Sequence, residues 1–359
     1  MSSISVNTIT DASGGATTSI NGFTPSVSNM AGRNRIINGD MRIDQRNAGA
    51  SVSLSNDAYT IDRWQTPCSA TYIGDATIQQ SSTAPAGFTN STAITVTTAT
   101  ATGASDYFLL WQKIEGFNVS DFSFGTANTK SVTISFWVRS SLTGTFGGSL
   151  QNGAQDRSYP FTYTINSANT WEYKTVTITG DTTGTWLTNS SNGMVLGFSL
   201  AAGSSRVGTA EAWRATQSLG AAGQTQLMET SGATFYITGV QLEEGSVATP
   251  FEHRQYGQEL ALCQRYYFKP ANRYTNFTAF HYASSAYCNI PFPTIMRATP
   301  SVTVNSSSTT WYEAGNSYTA SNFVGQGYPE SISIQCSVSG GTSGYAGTFY
   351  PLFTASAEL

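Results

Sequence analysis

Two kinds of residue in this chain could do chemistry: carboxylates, which cleave or bind, and aromatics, which bind. Hydrolysis of a glycosidic bond calls for two carboxyl groups facing each other, roughly 5 to 9.5 Å apart. The 359 residues include only 21 Asp and Glu, and the adjacent pair Glu243-Glu244 falls in a strand-like run. Neighbours on a strand point to opposite faces, so these two cannot converge on one bond. A strand-end pairing with Arg254 or another Arg is the expected role. Asp156 and Asp181 stand isolated in sequence. The two histidines, His253 and His281, lie in no Ser or Cys nucleophile motif. These residues predict no catalytic site and a protein that is not an enzyme.

Sugar binding needs flat aromatic faces with a few amides and carboxylates beside them. Trp186 and Trp213 sit in polar, loop-like company and are candidate ligand platforms, or alternatively cover a neighbouring subunit. Trp311, Tyr312 and Tyr318, near Asn316, form the richest aromatic and polar loop and are further candidates. Trp64, Trp137 and Trp171 have apolar neighbours in strand contexts, which predicts core packing.

The four cysteines, Cys68, Cys263, Cys288 and Cys336, have no Cys-x-x-Cys spacing. Buried thiols are expected, with no metal site and no cofactor, although a Cys288–Cys336 bridge is conceivable. The formal charge of −4 comes with no basic run, which argues against nucleic acid as a partner. No apolar stretch approaches the roughly 20 residues that span a bilayer, so no membrane insertion is expected. The first residues show no basic region followed by an apolar core, and synthesis in a cytoplasm is the expectation.

The elements that must position these residues are nearly all strands. Alternation of Thr or Ser with bulky residues recurs at 131–139, 173–179, 194–200 and 234–242, with Gly- and Asn-rich turns between. Charged residues make up 11% against aromatics at 12%, so there is ample apolar surface to bury and disorder is not expected. The pattern predicts an all-β chain: a jelly-roll β-sandwich, one linking helix, and a second, smaller β-sandwich. Its expected parts are an N-terminal arm over 1–33, the jelly roll over 34–251, the linking helix over 252–270, and a β tip over 271–359. Within Tyr256 to Phe268, Leu260, Cys263 and Tyr267, with Leu262 and Tyr266, fall at helical spacing. That stripe is expected to contribute to subunit contact, or else to cover the edge of one sheet.

A resemblance enters on the order of several landmarks. The jelly-roll region opens with Arg35-Ile-Ile-Asn-Gly-Asp-Met-Arg and closes with Phe235-Tyr-Ile-Thr-Gly-Val-Gln-Leu-Glu-Glu. In this it resembles jelly-roll carbohydrate-binding modules. With Thr249-Pro-Phe-Glu-His-Arg, the Leu-Ala-Leu-Cys-Gln-Arg-Tyr-Tyr segment, Met296-Arg-Ala-Thr-Pro and Ala355-Ser-Ala-Glu-Leu, the chain looks like bacteriophage tail-fibre and related virion appendage proteins. That resemblance implies a homotrimer carried on a virion, attaching to a host-surface glycan. The N-terminal arm would dock on other virion proteins. A head-fibre or capsid decoration protein and a polysaccharide depolymerase are the alternatives. Many such sugar modules hold a structural calcium through a Glu of the opening strand. Here Arg42 takes the matching place, and Thr238 stands where the closing strand often has an acid.

Overall fold

The computed structural model describes residues 32–270, 277–305, 310–349 and 352–359. Most of the arm expected over 1–33 therefore lies outside the described residues. The chain divides into two compact units. Among the described residues, the first comprises 32–42, 49–59 and 64–253; the second comprises 43–48, 60–63 and the described residues from 254 onward. The linking helix thus belongs to the second unit, which also takes in two short segments from early in the chain.

Among the described residues the first unit carries fourteen strands in chain order. They are β1 (Val52–Ser53), β2 (Ala58–Ile61), β3 (Trp64–Thr66), β4 (Ala76–Ser81), β5 (Ser91–Val96), β6 (Tyr107–Glu115) and β7 (Val132–Ser140). There follow β8 (Gly144–Asn152), β9 (Ser158–Ile165), β10 (Glu172–Ile178), β11 (Asn192–Ala202), β12 (Val207–Gly208), β13 (Gly220–Ala221) and β14 (Thr234–Glu244). Two six-stranded sheets form, ordered β1-β4-β5-β14-β7-β10 and β2-β3-β6-β11-β8-β9. They face each other as a sandwich, and their inner aromatics interdigitate. Phe136 on β7 meets Phe198 on β11 edge-on at 4.9 Å, and Phe146 on β8 lies 6.0 Å from Phe235 on β14.

Strand alternation decides which tryptophans reach this core. On β7, Val132, Ile134, Phe136 and Val138 are fully buried, which sends Trp137 and Arg139 to the outer face. Trp64 is enclosed and donates its indole N–H to the Asn38 carbonyl at 3.0 Å. The core expectation therefore needs correction for Trp137 and Trp171. Both are half-buried on the outer face, Trp137 against Tyr173 at 5.4 Å and Trp171 against Tyr236 at 6.3 Å.

The main run of the second unit starts with α1 (Tyr256–Gln264) and, among the described residues, continues through nine strands. These are β15 (Tyr267–Phe268), β16 (Phe277–Tyr282), β17 (Ser285–Pro291), β18 (Ser301–Asn305), β19 (Thr310–Glu313), β20 (Asn316–Gly327), β21 (Ser331–Val338), β22 (Ala346–Phe349) and β23 (Leu352–Ser356). The small second β block takes the form of a sheet closed on itself, β16-β17-β21-β20-β19-β22, beside a three-stranded sheet β15-β23-β18. All four cysteines are free and buried.

The helix ends sooner than its spacing predicts. Tyr267 and Phe268 pair with Ser356 and Ala355 of β23, so strand pairing takes over after Arg265. Cys263 and Tyr266 are fully enclosed and Tyr267 is buried. This corrects their assignment to subunit contact; Leu260 and Leu262 remain half-buried.

A buried ionic knot explains why 43–48 and 60–63 join this unit. The Arg63 guanidinium stacks 3.6 Å over the Tyr266 ring, and Arg46 stacks 3.7 Å over Tyr267. Both arginines pair with Glu358. Arg297 holds the same C-terminal stretch by donating to the Ala357 and Glu358 carbonyls at 2.8 and 2.9 Å. Asp62 accepts from the Gln45 backbone N–H at 2.5 Å. Burial pushes the Asp62 carboxyl up to about 7, against the opposing pull of Arg46. Burial likewise pushes the Cys263 thiol well up, which keeps it protonated and unreactive.

Candidate functional site

The predicted platforms Trp186 and Trp213 converge at one end of the jelly-roll unit. The loop after β10 carries Trp186, and Asp181 fixes that loop. Its carboxylate accepts from Arg157 Nε and Nη2 at 2.7 and 2.8 Å, and from the Thr183 N–H and hydroxyl at 3.0 Å each. Asn152 adds a bond to the Thr185 carbonyl at 3.0 Å. Trp186 donates its indole N–H back to the Thr183 carbonyl at 3.1 Å, which sets the ring's direction. Gly184 has φ +82°, and a Cβ there would meet the Arg157 side chain at 2.6 Å. The tight turn thus needs glycine at that position. Asp156 and Asp181, isolated in sequence, are therefore both engaged: Asp156 accepts from Asn152 at 2.6 Å.

The Trp186 ring meets Phe124 edge-on at 4.8 Å and Trp213 at 5.6 Å. Trp213 itself packs on Tyr159 at 5.2 Å and donates to the Thr179 carbonyl at 2.7 Å. Trp213 is thus a half-buried backing for Trp186, while Trp186 lines a surface cavity of about 360 Å³. Phe124 and Met194 give this cavity further apolar wall, and Ser123, Thr126 and Asn128 give it hydroxyls and an amide. No charged side chain lines it. Such a surface offers ring stacking plus neutral hydrogen bonds, which is the chemistry of an uncharged, hydroxylated ligand.

The candidates of the second unit separate. Trp311 is fully buried inside the barrel, and this corrects its reading as a platform. It donates to Glu313 Oε2 at 3.0 Å, and the same oxygen lies 2.9 Å from His281 Nδ1. The Thr342 backbone N–H binds the other Glu313 oxygen at 2.5 Å. The sequence carried no sign of this internal knot, because its members are 29 or more residues apart except for Trp311 and Glu313. Tyr312, next along the strand, points outward and is 41% exposed; Tyr318 packs partly buried against the barrel core.

Glu243 and Glu244 also lie apart. Glu243 is buried and binds the Thr249 N–H and hydroxyl at 2.8 and 2.6 Å. Glu244 pairs with Lys130 at 2.8 Å, and Arg254 pairs with Glu259 instead of this strand end. In the segment before β1, which forms turns and no strand, the Arg42 guanidinium pairs with Asp40, so a positive group already sits against that carboxylate. Among the described residues no group of three His, Cys, Asp or Glu is placed to hold a metal.

No family model matches this sequence, and no curated protein matches it. Solved structures do show partial likeness. The enzymatically active domain of tailspike protein 4 from bacteriophage CBA120 aligns at 13% identity and a TM-score of 0.31, over 54% of this chain and 21% of that one. A family 4 carbohydrate-binding module aligns at 15% identity and a TM-score of 0.31, over 58% of this chain and 97% of the module. A family 11 carbohydrate-binding module from Clostridium thermocellum, solved with a mixed-linked β-1,3-1,4 tetrasaccharide, aligns at 14% identity and a TM-score of 0.27. It covers 56% of this chain and 98% of that one. The chain thus spans about a fifth of the tailspike domain and nearly all of each module.

Proposed function

We propose that this chain is a non-catalytic glycan-binding protein whose jelly-roll unit holds a neutral sugar in the cavity beside Trp186. The observation that carries this reading is the pairing of an aromatic wall with an uncharged, hydroxyl- and amide-bearing one around about 360 Å³. The Asp181–Arg157 anchor keeps that wall in place before ligand arrives, which lowers the ordering cost of binding. A hydrolase would need two facing carboxylates, and no carboxylate lines this cavity.

The wider role we propose is attachment of a phage particle to host-surface glycan, as a trimeric tail fibre. The landmark order from Arg35 to Leu359 supports it. Three copies on each fibre would raise avidity without a tight single site. The half-buried Leu260 and Leu262 are the helix positions we assign to contact between copies.

A glycan array probed with the intact protein tests the binding. Retention of neutral oligosaccharides, with no new reducing ends released, is expected. Failure to retain any neutral glycan refutes the reading, and reducing ends lost on changing one carboxylate would make it an enzyme. Light scattering tests the assembly: the chain should have three times its monomer mass, and Leu260→Asp with Leu262→Asp should lower it, because unpaired buried carboxylates are costly. A monomeric unaltered chain would end the trimer.

A further inference from the structure

The jelly-roll unit has a second cavity, of about 290 Å³, with a different character. It opens near β6, where Tyr107 and Trp111 contribute aromatic wall and Leu219 contributes apolar wall. Three of its side chains are charged, Asp57, Lys113 and Arg206, in a protein where charged residues are only 11%. Arg206 is the most telling. Its guanidinium lies 5.4 Å over the Tyr107 ring, and its Nε donates to the Ser105 carbonyl at 3.2 Å. Its Nη1 reaches Gln217 Oε1 at 3.4 Å, and Gln217 is held in turn by Gln155 at 2.6 Å. Every contact of this guanidinium is with a neutral group, and it forms no ion pair with a described carboxylate. The other cation, Lys113, lies 5.8 Å from the Trp111 ring centre. Trp111 is fixed from below by its indole bond to Gln65 at 2.7 Å.

A preset planar fork without a carboxylate partner is suited to a carboxylate from outside. The aromatic and amide groups around it suit the hydroxylated ring that bears such a group. Asp57, exposed on the same cavity, supplies an acceptor for ring hydroxyls and would disfavour a ligand of high negative charge.

We propose that the cavity of Tyr107, Trp111 and Arg206 is a second sugar site, selective for a residue carrying one carboxylate, such as a uronic acid. It is separate from the neutral site at Trp186 and does not depend on it. The probe is galacturonic acid, one ring with one carboxylate, titrated calorimetrically into the intact protein beside its methyl ester, which has the same ring and no charge. The free acid should bind about 10-fold or more tightly than the ester, the usual worth of a charged hydrogen bond. Arg206→Gln should remove that preference, Arg206→Lys should keep part of it, and Trp186→Ala should leave it unchanged. Equal binding of acid and ester by the unaltered protein overturns the proposal, whatever the variants do. Loss of the acid preference in Trp186→Ala also overturns it, because the two ligands would then share one site.

Discussion

The Trp186 loop of the sandwich and the Trp311 hairpin of the barrel look alike in sequence, each a tryptophan among polar and small residues. In the fold they are opposites. Trp186 lies on a loop whose backbone is tied down by Asp181, leaving one side of its ring on a cavity. Trp311 lies on a strand, and alternation turns it into a closed barrel while Tyr312 faces out. The indole N–H marks the difference again. Trp186 bonds a carbonyl of its own loop, whereas Trp311 bonds a buried carboxylate that also holds His281. A polar neighbourhood in sequence therefore does not tell an aromatic that lines a surface cavity from a core one. Whether the residue falls on a tied-down loop or on the inward row of a strand does.

The sharpest way to break this contrast is to truncate both rings. Trp311→Ala should destabilise the barrel unit by about 3–5 kcal/mol, since it opens a large cavity and strands part of the Glu313 knot. Trp186→Ala should cost only about 1 kcal/mol, in line with a half-exposed position. Denaturant unfolding of the two variants compares them directly, and similar losses would erase the distinction.

The next effect concerns how the second unit depends on pH. The folded Asp62 carboxyl sits at about 7, against an ordinary 3.8. The folded state therefore holds this proton more tightly than the unfolded chain does. Its stabilising contribution is complete below about pH 4, falls between about pH 4 and pH 7, and is flat above. The fall is at most about 4 kcal/mol, from three units at about 1.36 kcal/mol each. Melting followed between pH 4 and pH 8 should show it, and Asp62→Asn should flatten the slope. An unaltered slope in that variant would place the titrating group elsewhere.

A smaller effect sharpens the sandwich side. Asp181→Ala removes the acceptor for Arg157 and Thr183, so the Trp186 loop should loosen at a cost of about 1–3 kcal/mol. Glycan affinity should weaken with it, though Trp186 itself is untouched. Full affinity in Asp181→Ala would mean the anchor does not position the ring.

Much of the fold was legible in the sequence because strand periodicity is local. The runs at 131–139, 173–179, 194–200 and 234–242 correspond to β7, β10, β11 and β14 within a residue or two. The facing of those strands was less legible, and Trp137 and Trp171 show why. Both faces of β7 carry bulky residues, so composition does not say which row meets the opposing sheet. The helix end was hidden because Tyr266 and Tyr267 continue the helical spacing while a strand some 90 residues later captures them. The Trp186 site was half legible. The aromatic was visible, but Phe124, Asn128 and Met194 reach it from other parts of the chain. The Arg206 cavity gave no signal at all, since its walls run from Asp57 to Leu219 and only chain topology assembles them.

The most direct test of the central claim is a calorimetric titration of a neutral oligosaccharide, chosen from the array, into the unaltered chain and Trp186→Ala. The account predicts that the variant keeps its melting behaviour within about 1 kcal/mol and loses affinity by about three- to tenfold, the usual worth of a stacked aromatic. Unchanged affinity in a folded Trp186→Ala protein would contradict it.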